Sequence, residues 1–480
     1  MTNDYLLISP EIILLVTGLI VLFLDAFSKE IGVSKGNLAG LTIFGSALSI
    51  LATILLLEEQ AVFFNIYSID NLTHFFRILL SAILLILVIG TKKYNENYIS
   101  HIGEYYFLLI SATLGGILMV AGIELITIYV GLELLSFSLY VAVSSLVNDK
   151  KSGEASLKYV LIGGVGSAIL LYGLSMIYGS AHSTFYVTMG LNFASDASYN
   201  AELLLIGLIF FFAGIGFKLS AVPFHMWAPD VYEGAPLPIT AFLSTASKAI
   251  VIGFLFRLLS GPFLSIMDYW NILIIILSVL TMIVGNLIAI QQSNIKRMLA
   301  YSSVGQIGYI LMALPNISSA TASAALFHLS GYVITNLLIF IVITIYYSNN
   351  KETSMISDFK GLSDKQPFLA LSLTAGLFSL AGMPLLAGFF TKFILFQAVV
   401  SNGYLWLVVI AVTMSTISLF YYLQIVKQMY LYSGDESENN FSIAINEYFA
   451  AGVLFLSMVF LGIYGTPLYE YAERATKILF

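Results

Sequence analysis

Long apolar runs follow one another along the whole chain, with only short polar breaks between them. A bilayer core of ~30 Å needs roughly 20 apolar residues per helix. Such runs lie near 6–27, 37–57, 71–91, 103–121, 123–147, 154–179, 202–233, 238–260, 270–292, 297–314, 318–347, 367–400, 403–430 and 445–468, which predicts an all-α polytopic membrane protein of about 14 transmembrane helices. The seventh and twelfth runs are too long for one simple crossing, and both contain prolines. The first run carries Glu11 and Asp25, lacks a basic leading segment and is followed by no small-residue cleavage site, so it is expected to be a span and not a cleaved signal. The longest polar segments, 180–201, 348–366 and 431–446, read as loops, and no soluble domain boundary is expected.

Composition agrees and narrows the function. Of 480 residues, 59% are apolar or aromatic and 10% are charged, with a mean hydropathy of +0.94. Soluble proteins carry about 25% charged residues. That argues against a soluble enzyme, a disordered protein and a nucleic-acid binder, and the net charge of -7 argues against any polyanion partner. With no cysteine there is no disulfide, thiolate metal site or iron–sulfur cluster on the chain. The five histidines, 74, 101, 182, 225 and 328, show no metal-ligand spacing, and neither a dinucleotide fingerprint nor a Walker motif is present. No cofactor is expected on this chain, and any redox chemistry it serves belongs to a partner.

Basic residues set the orientation. With the N-terminus outside, the inner loops hold Lys29, Lys35, Lys92, Lys93, Lys150, Lys151, Lys296, Arg297, Lys351, Lys360, Lys365 and Lys427, which is twelve of the twenty. Two, Arg474 and Lys477, fall in the outer C-terminal tail, so both termini are predicted outside.

The remaining six, Arg77, Lys158, Lys218, Lys248, Arg257 and Lys392, lie within spans. A charge at the bilayer centre costs ~2.5–3.5 kcal/mol on insertion scales and persists where it faces protein or a wet cavity. Glu133, Lys218, Lys248 and Lys392 are too deep to snorkel and form a candidate line of titratable sites, with Glu133 and Lys218 a candidate ion pair. His225, two residues after Pro223, and His328, with Tyr332 one turn on, are candidate relays between them. Lys158 reads equally as a wet inner-end lysine or a relay. Arg77 and Arg257 lie nearer the outer ends, where snorkelling or structural pairing is expected; Glu104 and Glu124 are expected to be solvated, and Glu11 and Asp25 are ambiguous.

Spans seven and twelve share a grammar: Lys218, Pro223, Trp227, Pro229 and Pro236 in one, and Gly382, Met383, Pro384 and Lys392 in the other. Proline in mid-membrane frees a carbonyl, and non-helical backbone there is tolerated only inside protein or beside a cavity. Two interrupted helices an odd number of spans apart are the pattern of inverted repeats in secondary transporters. The predicted organisation is a single membrane domain over 1–480. It divides into three N-terminal spans (1–100), a five-helix repeat (101–260, spans four to eight), a second, inverted one (261–430, spans nine to thirteen) and a C-terminal span (431–480). Residues alone therefore point to an ion or proton transporter with two half-channels.

The stretches GFKLSAVPFHMWAPDVYEGAP, SKAIVIGFLFRLL, NIKRMLAYSSVGQIGYIL and AGMPLLAGFFTKF resemble the antiporter-like membrane subunits of respiratory complex I through nearly the whole chain. ELLSFSLYVAVS, GEASLKYVLIGGVGSAILLYGLSMIYG and a chain that stops after span fourteen are most similar to the subunit N branch rather than L or M. The resemblance implies a proton-translocating subunit of a bacterial NADH:quinone oxidoreductase in the inner (plasma) membrane. Flavin mononucleotide, iron–sulfur clusters and quinone would sit on other subunits, and membrane subunits M and K would be neighbours. It implies that Glu133, Lys158, Lys218, His225, Lys248 and Lys392 occupy the family's hydrated central axis, with His328 matching the first of a histidine pair whose second member is here Tyr332. Gln306 stands where many relatives carry histidine. The alternatives are a subunit of a multi-subunit sodium/proton antiporter, a non-transporting scaffold of a membrane arm, or a stand-alone solute transporter.

Overall fold

The computed structural model describes residues 4–27, 34–195, 199–350, 354–433 and 443–480; Lys29 and Lys351 of the inner-loop set lie outside the described residues. Among those described, the protein is nearly all helix: α1 (Ser9–Ala26), α2 (Lys35–Leu55), α3 (Asn71–Tyr98), α4 (Ile102–Ala121), α5 (Leu125–Val143), α6 (Lys150–Ala181), α7 (Tyr186–Ala194), α8 (Ala201–Leu219), α9 (Trp227–Gly234), α10 (Leu237–Ser244), α11 (Ala246–Ser260), α12 (Met267–Ala289), α13 (Ile295–Leu311), α14 (Ser319–Asn349), α15 (Pro367–Ala381), α16 (Ala387–Ser401), α17 (Leu405–Leu431), α18 (Ile445–Ile463) and α19 (Thr466–Lys477). Twelve helical segments are long and apolar enough to cross a bilayer, with α10 and α11 together forming one of them. Of the other two predicted runs, the tenth is the 17-residue α13 and the twelfth is the pair α15 and α16, of 15 residues each.

Caps fix many of the helix starts. Asp70 accepts from Thr73 N–H at 3.0 Å ahead of α3, Asn294 accepts from the N–H groups of Lys296 and Arg297 ahead of α13, and Ser318 and Thr321 form a capping box on α14. Glu124, expected to be solvated, is buried, because its carboxylate caps α5 through Thr127 N–H at 2.7 Å. Glu104 is exposed, as expected.

Both over-long runs break where proline and glycine predict. Helix α8 ends at Ser220 in the left-handed region (φ 58°), and a turn containing a cis Val222–Pro223 bond leads into α9. Helix α15 ends at Gly382 (φ 89°), and α16 begins after Pro384. Three features were not predicted. A small hairpin pairs Ala61–Phe63 with Tyr67–Ile69, α7 lies in the segment read as an uncharged loop, and Thr245 interrupts the eighth span just before Lys248.

Burial sorts the helices into centre and periphery. Every residue of 237–260 is buried, and α14 is buried along nearly its whole length. Helices α1 and α2 instead show Leu15, Leu19, Phe23, Phe44 and Leu51 on their outer faces, as lipid contact requires.

Arg77 and Arg257 are structural, as their positions suggested. Arg77 grips the Glu11 carboxylate at 2.6 and 2.9 Å and the Leu7 carbonyl at 3.0 Å, while Tyr67 donates to the same carboxylate at 2.6 Å. Arg257 holds Asp70 at 2.7 and 2.9 Å and the Val120 carbonyl at 2.7 Å, tying α11 to α3 and α4. Burial raises the Asp70 carboxyl, but the Arg257 guanidinium overrides it and holds the group at about 2. Replacing Arg257 with methionine leaves Asp70 buried without its cation. It is expected to destabilise the chain by about 3–5 kcal/mol, read as the shift in a detergent-denaturation midpoint, with Asp70→Asn restoring most of the loss. An unshifted midpoint would show that the pair is not a clamp.

Candidate functional site

Lys218 sits in the last turn of α8, at the break, and is 7% exposed. Its ammonium donates to Ser136 Oγ at 2.6 Å and to Tyr140 OH at 3.3 Å, both on α5. Glu133, Ser136 and Tyr140 are spaced by three and four residues and so share one helix face. The expected direct pair is not formed: among the described residues no carboxylate lies within 4.0 Å of Lys218, and Glu133 Oε1 is buried without a hydrogen-bond partner. Ser136, one turn along α5, takes the lysine where Glu133 was expected to.

His225 follows in the turn after α8. It is 5% exposed, its ring lies 6.1 Å from that of Tyr301 on α13, and neither ring nitrogen has a hydrogen-bond partner. Lys248 is 1% exposed and donates to Ser303 Oγ of α13 at 2.8 Å. At the Thr245 interruption the Ser244 carbonyl accepts from Tyr332 OH at 2.8 Å, which joins α14 to the eighth span. Further along, His328 Nδ1 meets Thr391 Oγ1 of α16 at 3.0 Å, and its Nε2 is unpartnered. The hydrogen bonds do not run continuously: among the described residues none joins Lys218 to His225, or His225 to Lys248.

Lys392 lies on α16 and is 4% exposed. Leu380 lies in the last turn of α15, where the helix end leaves its carbonyl without a helical N–H, and Pro384 has none to offer it. The freed Leu380 carbonyl instead takes Lys392 Nζ at 2.6 Å and Gln306 Nε2 at 3.0 Å. Nζ also reaches Ser415 Oγ at 3.0 Å and stands 4.7 Å from the centre of the Tyr309 ring. A cavity of about 380 Å³, lined by Lys392, Phe389, Phe393, Val412, Ser415 and Thr416 among others, opens beside it.

Lys158 is apart from these. It is half-exposed and pairs with Glu154 at 2.8 Å and Asp230 at 3.0 Å, in a cluster where Arg297 also holds Asp230, at 2.7 Å, and Glu233, at 3.1 Å.

The partners Ser136, Ser303, Ser415 and Tyr309 were not singled out from sequence, because serine and tyrosine are common inside spans. The signals that would find them are the i+3 and i+7 spacing from Glu133, for Ser136 and Tyr140, and the position four residues before a proline, for Leu380.

Uncompensated lysines at the breaks of a helical membrane bundle define the class: an antiporter-like transmembrane subunit. The chain belongs to the NADH-quinone oxidoreductase subunit N family, and residues 122–418 match the wider family described as NADH:quinone oxidoreductase/Mrp antiporter, TM. It is 41% identical to NADH-quinone oxidoreductase subunit N of Moorella thermoacetica over 88% of each chain. It is 38% identical to subunit N of Desulforamulus reducens over 99% of each. Among solved structures it is similar to a chain of the respiratory complex I of Thermus thermophilus, with 28% identity, a TM-score of 0.80 and coverage of 96% of this chain and 98% of that one.

Proposed function

We propose that this chain is a proton-translocating membrane subunit of an NADH:quinone oxidoreductase, the complex for which its relatives are named. One observation carries the reading. Both arginines buried within spans hold carboxylates, whereas Lys218, Lys248 and Lys392 have no carboxylate within 4.0 Å among the described residues. An arginine that only holds the fold is neutralised by its partner; a lysine left without one can gain and lose its proton.

In this reading Glu133, Lys218, His225, Lys248, His328, Tyr332 and Lys392 line the path, and Lys158 belongs to the charged cluster at its inner mouth. Withdrawing the negative charge of Glu133 from Lys218, with Ser136 and Tyr140 as the groups between them, loosens the proton on Lys218. The proton then passes His225 to Lys248, and His328 and Tyr332 to Lys392. Electron transfer, with flavin, iron–sulfur clusters and quinone, belongs to other subunits, and membrane subunits M and K are the expected neighbours. The chain lies in the bacterial plasma membrane with both termini outside, as fourteen crossings: three N-terminal spans, two inverted five-helix units and a C-terminal span.

Purification of the tagged chain in mild detergent tests the assignment. Flavin and iron–sulfur proteins are expected to accompany it, and vesicles of the source membrane are expected to acidify on NADH. Recovery with antiporter subunits only, and no redox protein, would overturn it.

A further inference from the structure

Lys392 differs from Lys218 and Lys248 in that a main-chain carbonyl, and not only hydroxyl groups, accepts from its ammonium. An ammonium has three N–H donors, and three acceptors surround this one: the Leu380 carbonyl, Ser415 Oγ and the face of the Tyr309 ring. Ser415 donates its own proton to the Ala381 carbonyl at 2.9 Å, so its oxygen is turned toward the lysine as acceptor. Tyr309 is held in place. Asn286 Nδ2 donates to its hydroxyl at 3.1 Å, and Tyr421 OH donates to Asn286 Oδ1 at 3.0 Å. Gln306, one turn before Tyr309 on α13, donates to the Leu380 carbonyl that Lys392 also uses.

We propose that Tyr309 and Gln306 set how firmly Lys392 holds its proton, and that they act in opposite directions. The Tyr309 ring stabilises the ammonium. Gln306 donates to the same carbonyl, and a second donor drawing on that oxygen weakens the ammonium's shortest contact. Both are positioning residues. The proposal rests on reading Lys392 as a proton-carrying site. No carboxylate within 4.0 Å takes part among the described residues. The titratable groups facing Lys392 are Tyr309 on α13 and His328 on α14; on α17, Tyr421 reaches Tyr309 through Asn286 and Tyr422 is bonded to Ser302. Helix α15 carries none, and on α18 the acid Glu447 sits in the first turn, with its carboxylate taken by Ala444 N–H.

The test reads the proton directly and does not depend on pumping. Only a neutral amine is acylated, and the cavity beside Lys392 gives a small reagent access. The purified full-length chain in lipid nanodiscs is treated at fixed pH with a small membrane-permeant acetyl N-hydroxysuccinimide ester, and acetylation of Lys392 is followed by peptide mass spectrometry. Tyr309→Leu is expected to label about tenfold faster than wild type, Tyr309→Phe within about twofold of it, and Gln306→Leu about threefold slower. These ratios are expected to vanish at high pH, where every lysine is neutral. A Tyr309→Phe rate equal to that of Tyr309→Leu, a faster Gln306→Leu, or ratios that persist at high pH would overturn the proposal. Pumping by Lys392→Met is a separate measurement: wild-type pumping there removes Lys392 from the proposed path whatever the labelling shows.

Discussion

Replacing Lys218 with methionine is expected to cut NADH-driven proton pumping at least about tenfold, a barrier change of ~1.4 kcal/mol or more, while the complex still assembles. The expectation of intact assembly follows from the site. Lys218 has no carboxylate partner, so methionine leaves no opposite charge stranded, and its thioether fills a similar volume. What is lost is the ammonium at the end of α8, which in the proposed path takes up the proton and releases it past His225. Pumping is measured as quenching of a pH-sensitive dye in inverted vesicles, with assembly checked on native gels. Wild-type pumping by assembled Lys218→Met complex would sink the proposed path.

The largest structural effect is expected at Gly388. A Cβ built there would lie 1.7 Å from the Ser379 carbonyl oxygen, because the start of α16 presses against the end of α15. The contact is also a bonded one, since Gly388 N–H donates to Ser379 Oγ at 2.9 Å. Backbone on both sides cannot yield as a flexible side chain would. Gly388→Val is expected to cost more than about 4 kcal/mol and to abolish accumulation of the folded chain. Gly164 on α6 has open space where its Cβ would go, and Gly164→Ala is expected to stay within about 1 kcal/mol of wild type. Membrane levels and monodispersity in detergent check both, and normal accumulation of Gly388→Val would show that the elbow is not tightly built.

The apolar runs and the two proline-bearing breaks were legible because their physics is local: a helix needs twenty apolar residues to cross, and proline cannot donate. The buried lysines were legible for the same reason, since cost rises with depth. The partner of Lys218 was not, because spacing along one helix does not say which of Glu133, Ser136 and Tyr140 a lysine from another helix will reach. The break at Thr245 carries neither proline nor glycine and left no mark in the pattern. Helix α13 was undervalued because Gln306 removed its one expected titrating position. Its value lies instead in the groups it lends to others.

Those groups have a common carrier. Tyr301 faces His225, Ser303 holds Lys248 and Tyr309 faces Lys392, and all three belong to the one rigid rod α13. A slight roll of that rod would alter three stations in a single stroke, much as one camshaft times several valves. The three stations of the proposed path thus share one support, and a substitution that shifts α13 is expected to disturb all of them together.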